Sequence, residues 1–164
     1  MNLDNLKLEI DNIKDKTNEL SQLVSLFEKV IIIGNGGSNA MASHISVDYT
    51  KFLKKKSFSF SDAPMLTAYI NDYGRDNAYK QFLVDFVDGN TLVILISSSG
   101  NSMNVVNAAQ WCEDNNIPYA VLSGFSPNNK LNQMDANFKY HVNYNSYAVV
   151  ELAHEILLHS IIDN

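Results

Sequence analysis

The chain begins with a segment in which apolar and charged positions alternate at helical spacing. Between about Asn2 and Phe27, leucine and isoleucine recur at intervals of three, four and seven residues. This period is typical of an amphipathic helix with one apolar stripe. The stripe needs a partner, either the sheet of the same chain or a second copy of the protein, and we expect it to be buried between subunits.

Short apolar runs without the alternation of half-exposed strands follow this segment. Three are strong, at Val30–Ile33, Thr91–Ile96 and Tyr119–Leu122, and two are weaker, at Phe58–Phe60 and Phe138–Val142. Such runs are typical of strands that are buried on both faces, as in a parallel sheet.

Helical stretches lie between these runs, at 39–51, 77–87, 102–114 and 146–162. Strand–helix–strand alternation implies right-handed crossovers, with helices on both faces of the sheet. The sequence therefore predicts an α/β fold, a three-layer αβα sandwich with about five parallel strands, preceded by the N-terminal amphipathic helix. No repeat or Pro/Gly-rich linker divides the chain, so we expect one domain over 1–164, with an oligomerisation helix at 1–27 and an α/β core at 28–164.

Composition and charge narrow the range of partners. The 164 residues carry 12 basic and 18 acidic side chains, a formal net charge of −6 that argues against nucleic acid as a main partner. The one basic cluster, Lys54–Lys56, is typical of a solvated loop. The apolar runs are too short to cross a bilayer, and the acidic, polar N-terminus does not resemble a signal peptide. The single Cys112 fits a reducing compartment, so we expect a cytoplasmic protein without membrane partners.

Two turns follow the two strongest strands, at the edge where parallel sheets bind ligands. The glycine turn, Gly34–Ser38, contains three glycines, and Ser38 is the expected N-cap of the next helix. The serine turn, Ser97–Ser102, supplies four hydroxyl groups and one glycine before another helix. Helix N-termini present free N–H groups and a partial positive charge, so the two turns predict a neutral cradle for a phosphate dianion.

Other glycine-rich phosphate motifs do not fit the glycine turn. A dinucleotide fingerprint requires glycine where Asn39 stands, and no acidic residue ends the following strand before Asp62. A P-loop requires Gly-Lys followed by Ser or Thr, which is absent. One such turn alone is often only a turn, but two at the ends of two buried strands favour phosphate binding.

Two helices carry candidate acid–base groups. His44 and Asp48 lie four residues apart, on one face of the helix that follows the glycine turn. Glu151, Glu155 and His159 follow each other at steps of four, as a polar stripe on an otherwise apolar final helix. Taken alone, either set could consist of ordinary surface pairs.

These motifs resemble those of the phosphoheptose (sedoheptulose 7-phosphate) isomerases of the SIS domain superfamily. The resemblance rests on Gly34–Ser38 with Met41–His44, on Ile96–Ser102, and on Asn71–Gly74, which is similar to that family's Asn-Asp-Phe-Gly stretch. It covers almost the whole chain from Lys29 onward. It implies an SIS-type, Rossmann-like fold and a homotetramer with active sites at subunit interfaces.

The resemblance also implies roles for single residues. His159 and Asp48 would be the catalytic acid–base pair. The substrate would be contacted by Asn35, Gly36, Gly37, Ser38, Ser97, Ser98, Ser99, Ser102, Asp72 and Glu151. Zinc, one ion per active site, would be held by His44, Asp48, Glu151 and His159, and two histidines with two carboxylates suit Zn²⁺. His154 matches a family histidine too, but it faces away from His159, so we expect it to be structural.

Two positions depart from the family's pattern, because Asp48 replaces a glutamate and Glu151 replaces a glutamine. The activity implied is that of a ketose–aldose isomerase, which converts sedoheptulose 7-phosphate to D-glycero-D-manno-heptose 7-phosphate through a cis-enediol for lipopolysaccharide or capsule. Two alternatives stay open. One is a non-catalytic phosphosugar-binding module that acts as an oligomeric interaction or regulatory protein, and the other is an isomerase of a different sugar phosphate.

Overall fold

Five parallel strands form the centre of the fold, in the order β2-β1-β3-β4-β5. They are β1 (Lys29–Gly34), β2 (Lys56–Ser59), β3 (Thr91–Ser97), β4 (Tyr119–Gly124) and β5 (Phe138–Val142). The computed structural model describes residues 3–162, so the predicted helix start at Asn2 and both ends of the predicted domain lie outside it. The strand predicted at 58–60 begins two residues earlier and ends one residue earlier, since β2 runs from Lys56 to Ser59.

Helices cover both faces of the sheet. In the described part of the chain they are α1 (Leu3–Ser25), α2 (Gly37–Lys51), α3 (Ala63–Tyr73), α4 (Ala78–Phe86), α5 (Met103–Asp114) and α6 (Tyr147–Ser160), with a 3₁₀ turn at Leu131–Gln133. Helices α1, α2 and α6 pack on one face, and α3, α4 and α5 lie on the other. The predicted three-layer αβα sandwich is confirmed. None of these helices is long and apolar enough to span a membrane.

Each face of the sheet has its own core because successive strand side chains point in opposite directions. Along β1, Val30 and Ile32 enter the core beneath α2 and α6, whereas Ile31 and Ile33 enter the core beneath α4 and α5. All seven residues of the central strand β3 are buried. This burial on both sides explains why the apolar runs show no alternation in the sequence.

The first helix packs against its own chain. Ile13, Leu20 and Val24 are buried in the core that they share with α6, and α1 also contacts β5. The expectation that its apolar stripe is buried between subunits is therefore wrong for these residues, because α6 and β5 of the same chain provide the apolar surface. Leu8 and Leu26 remain 67% and 72% exposed.

The third helix is an element that the apolar pattern did not predict. Asp62 is its N-cap and accepts a hydrogen bond from the Met65 N–H at 2.9 Å, and Pro64 lies in its first turn. No residue of α3 is fully buried. Its inward face is short, with Met65, Leu66 and Tyr69 partly buried against the core beneath α4 and α5, so the helix start at Asp62 and Pro64 is its clearest signal.

Candidate active site

The glycine turn and the serine turn meet in one small cavity at the carboxyl ends of β1 and β3. Its volume is about 130 Å³, and we call it the strand-end cavity. Both turns and the start of α6 line it, with Asn35, Ser38, Ile96, Ser97, Ser98, Ser99, Ser102, Tyr147 and Glu151. The structure thus brings together seven of the ten residues that the sequence assigned to the substrate, from three separate segments of the chain.

The glycine turn enters its helix earlier than expected. The N-cap is Gly36 rather than Ser38, which lies inside α2 and makes no capping hydrogen bond. Gly36 has φ 53°, in the left-handed region, which glycine adopts without a steric penalty. This sharp bend starts the helix two residues sooner and leaves the first N–H groups of α2 without intrahelical acceptors at the cavity.

Two residues from the opposite face of the sheet fix the glycine turn. Asn35 exchanges amide hydrogen bonds with Asn104 of α5, at 3.0 and 2.8 Å. The Tyr79 hydroxyl of α4 lies 2.8 Å from Asn35 Oδ1 and 2.9 Å from the Gly34 carbonyl oxygen. Burial raises the pKa of Tyr79, so its hydroxyl keeps the proton that it donates. The Asn35 side chain is thus bonded to Asn104 and Tyr79, which fixes the shape of the turn.

The serine turn presents hydroxyl groups that are almost fully buried. Ser97 and Ser98 are each 5% exposed, and the Ser97 hydroxyl donates to Ser102 Oγ at 3.3 Å. Ser98 Oγ is buried without a hydrogen-bond partner among the described residues. A buried hydroxyl without a partner is destabilising by about 1–3 kcal/mol, so its place in a ligand-sized cavity points to a ligand oxygen.

The charge of the strand-end cavity is unusual for an anion site. Among the described residues, its lining contains no lysine or arginine, and its one charged group is the carboxylate of Glu151. That carboxylate stands beside Gly37, where an added Cβ would lie 3.0 Å from Glu151 Oε2. The groups of this cavity that can attract an anion are therefore its hydroxyl groups and the N-termini of α2 and α5.

A second group of polar side chains lies between α2 and α6, and we call it the His–Asp group. His159 Nε2 is 3.5 Å and His44 Nε2 is 3.6 Å from the same oxygen, Asp48 Oδ2. The two imidazole rings are 5.2 Å apart. His159 Nδ1 donates to the Glu155 carbonyl oxygen at 3.0 Å, which leaves Nε2 of the neutral ring free to accept a proton beside Asp48.

One buried hydrogen bond sets the register of the two helices at this point. The Tyr49 hydroxyl, on a side chain with no exposed surface, donates to the Leu158 carbonyl oxygen at 3.0 Å. Tyr49 follows Asp48 in α2, and Leu158 precedes His159 in α6. The contact therefore keeps the carboxylate of one helix next to the imidazole of the other.

The His–Asp group has the donor atoms of a metal-binding group. Its three ligand atoms all lie within 4.8 Å of one another. A zinc tetrahedron with arms of about 2.1 Å has edges of about 3.4 Å, close to the two nitrogen–oxygen distances above. The structure does not bring Glu151, the predicted fourth ligand, into this group. Eight residues separate it from His159, which is about 12 Å along a helix.

Two further predicted residues lie outside the cavity. Asp72 is exposed near the end of α3, where it accepts a hydrogen bond from Asn71 Nδ2 at 2.9 Å. Helix α3 packs on α4, on the other side of the sheet from α6, so Asp72 does not reach the strand-end cavity of its own chain. His154 is fully buried and donates to the Ser123 carbonyl oxygen at 3.0 Å, as expected for a structural residue. Burial lowers its pKa to about 4.

Sequence reasoning missed Tyr147, Tyr79 and Asn104. Tyr147 lines the strand-end cavity, and its ring packs on Phe125 with 4.9 Å between centroids. It lies four residues before Glu151, so extending the polar stripe of α6 by one turn would have found it. Tyr79 and Asn104 contact the glycine turn from α4 and α5, and no local pattern in the sequence predicts such contacts.

The fold and the cavity define a class: an open, parallel α/β domain with a cavity at the carboxyl ends of its strands, the place where ligands bind in sheets of this kind. The family model of the SIS domain matches residues 3–124, and the chain belongs to this family.

Proteins similar to this chain include several phosphoheptose isomerases. That of Buchnera aphidicola subsp. Acyrthosiphon pisum is 32% identical over 123 residues, which cover 72% of this chain and 64% of the relative, less than two thirds of its length. That of Fusobacterium nucleatum is 29% identical over 165 residues, 95% of this chain and 84% of the relative. The structure of phosphoheptose isomerase GmhA from Neisseria gonorrhoeae shares the fold, with a TM-score of 0.86, 22% identity, and coverage of 98% and 90%.

Proposed function

We propose that this protein is a ketose–aldose isomerase that converts sedoheptulose 7-phosphate to D-glycero-D-manno-heptose 7-phosphate. The observation that carries the proposal is the placement of two sites along α6. Glu151 marks the strand-end cavity, and His159 marks the His–Asp group, about 12 Å further along the helix axis. An extended seven-carbon sugar spans roughly 10 Å from C1 to the phosphorus of a 7-phosphate, from ordinary bond lengths. The names of the similar proteins agree with this substrate.

The phosphate is bound at the strand-end cavity in this scheme. Ser98 Oγ, which has no hydrogen-bond partner within the part of the chain that the structure describes, donates to one phosphate oxygen, and the N–H groups at the starts of α2 and α5 donate to others. Because the phosphate is remote from the reacting carbons, its binding energy serves to hold C1 and C2 in register with the His–Asp group.

The His–Asp group carries the proton transfers. Interconversion of a 2-ketose and an aldose moves one proton between C1 and C2 and another between their oxygens, through a cis-enediol. Asp48 removes the carbon-bound proton and returns it to the neighbouring carbon. His159, whose free Nε2 faces Asp48, carries the proton between the two oxygens.

Zinc is the metal that this donor set fits best. His44, Asp48 and His159 would hold it, and a fourth position would stay open, as is usual for a catalytic zinc site. A zinc ion on His159 Nε2 would occupy the lone pair that accepts a proton in the scheme above, so that scheme describes the zinc-free protein. A bound zinc ion would polarise the substrate carbonyl group. Equilibrium dialysis tests this without an activity assay. One zinc per chain is expected for the wild type and a strongly weakened site for His44→Ala, whereas equal zinc content in both would contradict the assignment.

The exposure of the His–Asp group supports a homotetramer with active sites between subunits. The His44 side chain is 59% exposed, and Val47 on the same helix and Phe52 directly after its end are 54% and 57% exposed. A second copy over this surface would bury the apolar side chains and exclude water from the reacting atoms. Sedimentation should show an assembly at micromolar concentration, and a stable monomer would contradict it. We place the enzyme in the cytoplasm, in the synthesis of heptose for lipopolysaccharide or capsule.

A non-catalytic phosphosugar-binding module is the second candidate. The distances of 3.5 and 3.6 Å within the His–Asp group exceed good hydrogen bonds, and aspartate reaches less far than the glutamate of the family's pattern. Such a module would keep the strand-end cavity and lack turnover.

One experiment separates the two functions. Purified protein is incubated with sedoheptulose 7-phosphate, with and without zinc, and the products are analysed, with pentose 5-phosphates and hexose 6-phosphates as shorter substrates. The isomerase predicts conversion of the heptose phosphate well above that of the shorter sugars. Phosphosugar binding without conversion under both conditions would establish the binding module instead.

A further inference from the structure

We propose that Asn129, which does not line the strand-end cavity, is a positioning residue that holds the serine turn in its phosphate-binding shape. The inference rests on the proposed function and adds a residue to it. Asn129 lies in the loop between β4 and β5 and is 2% exposed. It is therefore a buried polar side chain on the far side of the serine turn from the ligand.

Asn129 packs directly against the bend of the serine turn at Gly100. Gly100 has φ 63°, and a Cβ added there would lie 1.9 Å from Asn129 Oδ1 and 2.1 Å from Asn129 Cγ. The next two residues of the loop also hold the turn. The Leu131 N–H donates to the Gly100 carbonyl oxygen at 3.0 Å, and the Lys130 N–H donates to Asn101 Oδ1 at 3.1 Å. Three consecutive loop residues thus fix the position of the turn at 100–101.

The Asn129 amide is itself anchored to the end of β4. Its Nδ2 donates to the carbonyl oxygens of Ser126 and Gly124, at 2.7 and 3.1 Å. Its Oδ1 accepts from the Asn132 N–H at 2.9 Å. A Cβ added at Gly124 would lie 3.0 Å from the Ser98 carbonyl oxygen, so the end of β4 also packs closely on the serine turn.

The consequence concerns the direction of the hydroxyl groups. Ser97 and Ser98 precede the bend at Gly100 and take their orientation from it, with the Gly100 N–H bonded to the Ser97 carbonyl oxygen at 2.9 Å. A turn that is ordered before the ligand arrives loses less conformational entropy on binding. Without the Asn129 amide, the turn loses its packing support, and the affinity for the phosphate end of the ligand falls.

The first test compares Asn129→Ala with the matched control Asn132→Ala. Asn132 lies in the same loop, and its Nδ2 bonds the Pro127 carbonyl oxygen at 2.8 Å without touching the serine turn. Calorimetry gives the Kd of inorganic phosphate, and kinetics give KM and kcat for sedoheptulose 7-phosphate. We expect Asn129→Ala to raise both Kd and KM about tenfold with kcat within about threefold, and the control to leave all three within about twofold.

The second test approaches the same contact from the turn. Gly100→Ala inserts a methyl group where Asn129 lies, and we expect a similar loss of phosphate affinity. Gly74→Ala is the control, because Gly74 also has positive φ (76°) but has open space around an added Cβ. Because Asn129→Ala removes the two closest atoms, the double variant with Gly100→Ala should lose less affinity than the two single losses combined.

The outcomes separate the inference from the proposed function. Asn129→Ala that binds phosphate like the wild type, with only a lower Tm, would show a purely structural role and overturn the inference alone. If Asn129→Ala does not fold, an unchanged phosphate Kd in Gly100→Ala would overturn it. A wild-type protein that neither binds phosphate nor converts the sugar would overturn the proposed function and this inference together.

Discussion

The strand-end cavity and the His–Asp group differ in how completely this chain builds them. In the cavity, Ser97 and Ser98 are nearly fully buried, and residues of α4, α5 and the β4–β5 loop fix both turns from behind. In the His–Asp group, the side chains of His44 and His159 are 59% and 36% exposed, and the contacts to Asp48 are long. The strand-end cavity is therefore preformed within one chain, whereas the His–Asp group is open to solvent on one side.

This contrast indicates that binding and turnover depend on different parts of the molecule. Phosphate affinity should survive changes that abolish catalysis, because the serine turn shares no ligand atom with the His–Asp group. Variants at the two places should consequently move different measured quantities.

His159→Asn should produce the largest loss. Removal of a general acid–base group reduces kcat by about 10²–10⁴-fold, while the Kd of inorganic phosphate stays within about twofold of the wild type. Steady-state kinetics and calorimetry measure the two quantities. Full activity of this variant would contradict the proposed mechanism. Loss of phosphate binding would contradict the conclusion that binding and turnover depend on different regions.

The pH dependence of the free energy of unfolding tests the burial of His154. Burial lowers its pKa from 6.5 to about 4, so between these pH values the unfolded chain binds a proton that the folded chain does not. The free energy of unfolding should therefore fall as the pH drops from 6.5 towards 4, by roughly 3 kcal/mol for this residue, and be fully restored above that range. Urea denaturation at pH 7 and pH 4.5 should show a smaller pH difference for His154→Gln. Equal differences in both proteins would contradict a buried, neutral His154.

Ser98→Ala isolates the unpaired hydroxyl of the strand-end cavity. Loss of a hydrogen bond to a charged phosphate should raise its Kd and the substrate KM by about 10- to 100-fold, whereas the free energy of unfolding should stay equal or rise. Ser57→Ala is the matched control, because Ser57 Oγ is also buried without a partner among the described residues but lies away from the cavity. A similar effect of both variants on phosphate binding would count against the assignment.

Glu151→Gln should have the smallest effect, and in the opposite direction. The carboxylate shares the cavity with the phosphate, so its neutralisation removes repulsion between like charges and should tighten phosphate binding about threefold to tenfold. Glu155→Gln, one turn along the same helix, removes an equal charge outside the cavity lining. Phosphate binding that is unchanged or weaker in Glu151→Gln would contradict this picture of the cavity.

The sequence predicted the strands well because a buried parallel sheet demands continuous apolar runs, as in Thr91–Ser97. Both turns followed from the rule that ligands bind at strand ends. The support of the turns could not be predicted in this way. Tyr79, Asn104 and Asn129 are ordinary residues in their local context, and their contacts depend on which strand ends become neighbours in the sheet.

Two features that were not predicted, helix α3 and the distance of Glu151 from the His–Asp group, have signals in the sequence other than the apolar pattern. Helix α3 buries no residue completely, but Asp62 and Pro64 together form a recognisable helix start. The separation of Glu151 from the His–Asp group follows from the helical rise alone. Glu151 and His159 are eight positions apart on one helix, about 12 Å along its axis, so they cannot bind the same metal ion. By contrast, the burial of Ile13 and Leu20 against α6 rather than a second chain depended on tertiary packing.

Because α6 carries Glu151 near one end and His159 near the other, its length is a constraint on evolutionary change. One inserted residue between them would rotate His159 by about 100° around the axis and shift it by about 1.5 Å. The serine turn and the start of α6 would keep their places. A single insertion in the last helix would thus displace the His–Asp group while leaving the strand-end cavity intact.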